Sequence, residues 1–246
     1  RPAGGHRPEN PLTLALTADV HLRAARPERG QAFEALLAQL ASRRIRLLVV
    51  AGDLLDLGCE GHRELDALLR RHETVRLLAI PGNHDRELRQ ELFAAGNIQV
   101  FTRPTLKSIE GRPVLFLPYQ EGRSMGAAIE ESGLAARLPA GQWVLVSHGD
   151  YGAPRRQDSG DEAGYFPLTR QDLSRLRPVR AILGHIHLPF PAGSGGPAGI
   201  EAPVLSPGSP YPLSAAERGP RRILLLDTGS AAVEELPLSH PPVFLE

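Results

Sequence analysis

The chain is short of cysteine, nearly devoid of lysine, and carries no excess of either charge. Cys59 is its only thiol, so an internal disulfide framework is excluded. No stretch resembles a signal peptide or an apolar span of roughly 18 residues, so a cytoplasmic protein is expected and a membrane-spanning one is not. Lys+Arg and Asp+Glu each total 28. A global positive field that would gather nucleic acid is therefore excluded, and any such binding must come from a local patch. Among the basic residues only Lys107 is a lysine, and arginine is the better fork for phosphate. No internal repeat is visible, and no composition break divides the chain.

What is present suffices for a sizeable core, since 41% of the 246 residues are hydrophobic and one large domain can bury that much apolar surface. Residues 1–10, within "RPAGGHRPENP", read as a flexible lead-in that starts inside a longer numbering. Residues 11–246 read as a single domain. From residue 12 the pattern alternates: "LTLALTA" as strand, "ERGQAFEALLAQLASRR" as helix, "IRLLVVAG" as buried strand, "GHRELDALLRRH" as helix and "VRLLAIPG" as strand. Such βαβαβ order predicts a parallel sheet with right-handed crossovers. A helix is predicted at 86–95, strands at 98–101, 105–109 and 114–118, and a helical stretch near 126–137. "QWVLVSH" and "VRAILGH" follow as strand runs, and "PFPAGSGGPAG" at 189–199 as a loop. Strands at 203–206, 221–227 and 231–236 complete the chain, with "LDTGSA" as a hairpin signal. The fold class is α/β, its second half adding antiparallel strands.

The polar residues are distributed unusually. "TADVH" at 17–21, "AGDLLD" at 51–56, "IPGNHDRE" at 80–87, "VSHGD" at 146–150 and "LGHIH" at 183–187 each follow an apolar strand run. The carboxyl edge of an α/β sheet is where ligands bind. Five strands would thus deliver Asp19, His21, Asp53, Asn83, His84, Asp85, His148, His185 and His187 to one rim. Imidazole, carboxylate and amide oxygen without thiolate suit divalent Mn, Fe, Zn or Ni. In "DVH" and "HIH" the residues at i and i+2 would share one side of an extended chain, so each pair could grip one ion. Seven candidate ligands exceed the roughly three to five that one open catalytic metal needs, so two ions sharing a carboxylate is the economical count. Singly, Asp19 or Asp53 could be a helix cap and His21 a surface histidine, but caps do not require histidines at five matched strand ends. Asp56 is expected to cap the helix near Gly61 or brace the site. Asp150 reads as a turn residue or an outer support of the site, Cys59 as a buried or incidental thiol, and His6, His62, His72 and His240 as surface residues. The loop at 151–166 holds Arg155 and Arg156, which could reach phosphates.

The succession D-x-H, G-D-x-x-D, G-N-H-D, a lone H and G-H-x-H resembles the calcineurin-like metallophosphoesterase superfamily, with every motif present. The resemblance implies a four-layer α/β/β/α sandwich and hydrolysis of phosphate esters at two divalent ions. It places Asp53 between the ions, Asp19, His21 and His187 on the first, and Asn83, His148 and His185 on the second. It makes His84 a proton donor or transition-state stabiliser facing the phosphate, with Asp85 orienting its ring. "LPY" at 117–119, "YFPLTRQDLSRLRPVRAILGHIHLPF" at 165–190 and "SPGSPYPLSAAERGPRRILLLDT" at 206–228 look like SbcD-type DNA repair exonucleases. That closer likeness implies manganese, DNA as substrate and a coiled-coil ATPase as partner. Those nucleases generally continue into a DNA-capping domain, whereas this sequence ends at Glu246. A relative acting on small phosphodiesters such as cyclic nucleotides is the alternative, and a non-catalytic adaptor the third reading.

Overall fold

In a computed structural model of the chain, residues 13–151, 164–189, 204–214, 217 and 219–238 are described. Residues 1–10, Arg155 and Arg156, and most of the loop at 189–199 lie outside that set. The helices are α1 (Pro27–Ser42), α2 (His62–Arg71), α3 (Met125–Glu131) and α4 (Arg170–Leu176). One sheet contains β1 (Thr13–Thr17), β2 (Leu47–Ala51), β3 (Arg76–Ile80), β4 (Ile98–Val100), β10 (Arg222–Asp227) and β11 (Val233–Pro237). Its order is β11-β10-β1-β2-β3-β4. The first four strands run parallel, and β10 lies antiparallel to both β1 and β11. The second sheet runs β5 (Thr105–Ile109), β6 (Arg112–Leu117), β7 (Val144–His148), β8 (Arg180–Gly184) and β9 (Val204–Leu205), with only β5 antiparallel.

Three cores separate four layers, and the alternation of side chains along the strands builds them. Ala15, Leu48, Val50, Leu77 and Ala79 point from the first sheet to Phe33, Leu36, Leu37 and Leu40 of α1 and Leu65, Leu68 and Leu69 of α2. The intervening residues Leu14, Leu16, Val49, Leu78 and Ile80 face Val114, Phe116, Val144, Val146 and Ile182 of the second sheet. Leu115, Leu145, Ala181 and Leu183 then pack on Met125, Ile129 and Leu173 from α3 and α4. This is the α/β/β/α order expected from the sequence. Among the described residues no helix is long and apolar enough to cross a membrane.

Two helix predictions need correction. Residues 86–95 form turns with a short 3-10 segment at Gln90–Leu92. A side chain takes backbone groups a helix would need: Asp66 Oδ1 accepts from Ala94 N at 2.8 Å and Ala95 N at 2.7 Å, while the Gln90 amide reaches out of the stretch to Ile98 O. The stretch near 126–137 divides into α3 and a 3-10 turn at Ala135–Arg137, because Gly133 adopts φ 70° after the helix end. Helix α4 is additional. Its signal is the reciprocal cap in which Thr169 Oγ1 accepts from Asp172 N while the Asp172 carboxylate accepts from Thr169 N.

Phe116 lies wholly buried between the sheets and stacks on Phe101 with ring centroids 4.3 Å apart. Phe116→Ala is expected to destabilise the protein by about 3–5 kcal/mol, measured by urea denaturation.

Candidate metal centre

Strands β1, β2, β3, β7 and β8 all end at one rim, and the residues that follow turn into it. Beyond β1 the chain runs alongside the turn after β2, with Asp19 N donating to Gly52 O, His21 N to Asp53 O and Leu22 N to Leu54 O. Asp19, His21 and Asp53 have φ of 53°, 47° and 51°, and His185 has φ 90°. The i, i+2 pairs are therefore not held by extended backbone as expected. β1 stops at Thr17 and β8 at Gly184, and left-handed residues aim the side chains instead. Each such residue costs of order 1–3 kcal/mol and persists only where its surroundings over-determine it. Close approach also dictates two glycines: a Cβ on Gly82 would overlap the Asp53 carboxylate, and one on Gly184 would overlap Ala51 O.

The side chains so aimed converge. Asp53 Oδ2 lies 3.5 Å from His21 Nε2 and 3.3 Å from His148 Nε2, and its Oδ1 accepts from His84 N at 2.9 Å. Asp19, His21 and His187 place one ligand atom each within a span of 4.8 Å, as do Asp19, Asp53 and His148. Asn83 Oδ1 lies 2.8 Å from His148 Nε2 and 3.2 Å from His185 Nδ1. The rings of His21 and His187, and those of His148 and His185, are 5.5 Å apart. All seven residues expected as ligands are thus brought together.

The three remaining expectations fare differently. His84 stands beside the cluster, its ring 4.7 Å from that of His21. Asp85 is buried, but its oxygens accept from Gly82 N at 2.7 Å and Leu55 N at 3.1 Å, which ties two loops together and leaves the His84 ring to another group. The carboxylate that faces it is Asp56, whose Oδ1 lies 3.8 Å from His84 Nδ1 and 4.0 Å from His21 Nδ1, outside hydrogen-bond distance of either. Asp56 caps the 3-10 turn at Leu57–Cys59, while Gly61 begins α2, so of its two expected roles it takes the bracing one. Arg29 anchors it from α1 at 3.6 Å. Sequence reasoning missed Glu217, whose Oε1 accepts from His187 Nδ1 at 2.8 Å.

The electrostatics match a cation site. Asp19 and Asp53 are 0% and 1% exposed, and their ion-pair partners among the described residues are imidazoles. Burial, with Asp53 nearby, pushes Asp19 up to about 6. Burial also opposes the charge on Asp53, but His148 and His21 overcome it and hold that carboxyl well below its usual range. Burial drives His21 and His185 down to about 4, so both are neutral at pH 7, and the buried His21 Nε2 has no hydrogen-bond partner. Opposed buried carboxylates and neutral imidazoles with free lone pairs fit divalent cations, which need deprotonated ligands. His148 Nδ1 donates to Ala51 O at 2.9 Å, an outer contact that leaves Nε2 as the nitrogen to serve a cation once its proton is gone.

The sequence profile described as Calcineurin-like phosphoesterase matches residues 12–199. No curated protein matches the chain. With most of its length covered by that profile, the chain belongs to the calcineurin-like phosphoesterase family, whose members are metal-dependent hydrolases of phosphate esters.

One solution property follows from His148. Burial would lower its pKa, but the facing Asp53 carboxylate raises it further, to about 9. At pH 7 a proton must therefore leave before Nε2 can bind a cation. Divalent-ion affinity of the metal-free protein is expected to rise with pH from 7 to about 9 and to flatten above. Proton release on binding, read by calorimetry in two buffers of different ionisation enthalpy, checks this.

Proposed function

We propose that the chain hydrolyses phosphodiester bonds at a two-ion centre. Asp19, His21 and His187 would hold one divalent ion, Asn83, His148 and His185 the other, and Asp53 would be shared. The observation that carries this reading is the position of Asp53 Oδ2, 3.5 Å from an imidazole of the first set and 3.3 Å from one of the second. Manganese is the first choice of metal, with iron, zinc or nickel compatible with the same donors. When bound, such ions supply Lewis-acid activation of a water molecule and neutralise phosphate oxygens.

The protein's own residues do the rest. Asp19 and Asp53 supply negative charge that is already desolvated, and the left-handed turns hold them in place before substrate arrives. His84, on the loop that also carries Asn83, reaches the mouth with 39% of its side chain exposed. A ring nitrogen there would give a proton or hydrogen bond to the departing oxygen, with Asp56 facing the ring from behind.

DNA is the substrate supported by the likeness of the 206–228 stretch to SbcD-type nucleases, and a coiled-coil ATPase is the partner of that reading. A specific observation favours small diesters as the second reading. At the mouth Arg86 pairs with Glu121, and Arg23 pairs with Asp56 at 3.9 Å and Glu60 at 3.5 Å, so these cations are already engaged with carboxylates. Assay of the manganese-loaded protein on linear single- and double-stranded DNA, beside bis-p-nitrophenyl phosphate and cyclic nucleotides, separates the two. Hydrolysis of the small diesters alone would remove DNA from the proposal.

His84→Ala is expected to lower turnover by about 10²–10⁴-fold with metal content retained. Asp53→Asn is expected to lose metal and turnover together. Metal analysis alongside rate measurement decides, and a His84→Ala enzyme of normal rate would remove the assigned role.

A further inference from the structure

His187 differs from the other imidazoles of the centre in having a carboxylate within hydrogen-bond distance behind it, where His21 has Asp56 at 4.0 Å and His185 has Asp150 at 3.7 Å. Its Nε2 points toward Asp19 Oδ1, 4.0 Å away, while its Nδ1 donates to Glu217 Oε1 at 2.8 Å. His148 has a neutral backbone carbonyl, Ala51 O, in the corresponding place. Glu217 is itself held fast. Its Oε2 accepts from Leu213 N at 3.0 Å and from the Arg221 guanidinium at 3.2 Å. Arg221 is only 7% exposed, and it also donates to Glu217 O at 2.7 Å, His187 O at 2.9 Å and Ser209 Oγ at 3.2 Å. Ser209 N donates to the same His187 carbonyl at 3.0 Å. The segment between β9 and β10 thus grips both the ring and the backbone of His187.

Resting on the two-ion reading, the geometry points to Glu217 as a positioning residue for the ion that His187 would hold; this is our own inference. The carboxylate accepts a hydrogen bond and donates none, so a proton of His187 is on Nδ1 and Nε2 is the nitrogen that faces Asp19 and His21. Its negative charge also makes the ring a stronger donor to a cation. Arg221 keeps Glu217 in register without consuming Oε1. Of the four imidazoles, that of His187 alone would then be hydrogen-bonded to a carboxylate, whereas His148 on the Asn83 side is backed by a carbonyl.

The test is calorimetric titration of the metal-free protein with manganese(II), for the wild type and for Glu217→Ala, Glu217→Gln and His187→Ala, with the melting temperature of each metal-free protein recorded. Glu217→Ala is expected to weaken one of two ions by about 10–100-fold and to spare the other. Glu217→Gln, which keeps an acceptor oxygen but loses the charge, should weaken the same ion by less. Wild-type affinity for both ions in both Glu217 variants would overturn the proposal. So would equal weakening of both ions with a fall in metal-free melting temperature, since that pattern describes a brace for the whole segment. If Glu217→Ala does not fold, Glu217→Gln decides by the same criteria. His187→Ala separates the underlying reading: two ions bound as in the wild type would defeat the ligand assignment, whereas loss of one ion there with none in the Glu217 variants defeats the positioning role alone.

Discussion

Asp53 is 1% exposed and faces His21 on one side and His148 on the other, with Asp19 close enough to raise its own pKa in response. Two buried carboxylates whose ion-pair partners among the described residues are imidazoles repel each other at low effective dielectric. The rest of the molecule is arranged to bear that repulsion. Each sheet contributes one flank of the cluster, and the apolar layer between them, with Phe116 and Val146 from one side and Leu16 and Val49 from the other, keeps the flanks in register. A cation relieves the strain that the apolar layers sustain. That is why the site and the core are one design here: loosening the inter-sheet packing would draw His148 and His185 of the second sheet away from Asp19 and Asp53 of the first and break up the set of donors.

The cost is visible in the backbone. Asp19, His21, Asp53 and His185 all adopt positive φ, a region L-residues avoid. Gly82 and Gly184 let the turns approach to where any side chain would collide. Asp85 then secures the result by bonding the loop after β3 to the turn after β2 through Gly82 N and Leu55 N.

Much of this was legible in the sequence, and the parts that were not share a cause. The strand runs, α1, α2 and the gathering of ligands at strand ends follow from local periodicity and from the position of polar residues after apolar ones. The route by which "DVH" brings Asp19 and His21 together was misread because alternation rules apply inside strands, and β1 ends before the motif begins. Helix 86–95 failed because Asp66, on α2 and far from that stretch in sequence, claims the Ala94 and Ala95 amides that a helix would use for itself. Asp56 takes one of its two expected roles, but Asp85 bonds backbone amides in place of the His84 ring, because two carboxylates near one histidine cannot be ranked until the loops are folded. Glu217 had no local signal beyond its place in the "GSPYPL" tail, since its partner lies 30 residues away.

That separation bears on how the protein comes into being. Residues for the Asn83 side are complete once β8 and His185 exist, whereas the His187 ring is backed only when the stretch carrying Tyr211 and Glu217 has folded onto the β1 turn, where the Tyr211 hydroxyl donates to Val20 O. A chain growing from the ribosome would therefore finish one half of the centre well before the other, and a cation captured early would meet a lopsided cradle. Strand β10 then slots in beside β1, and β11 after it becomes the outer stave of the sheet.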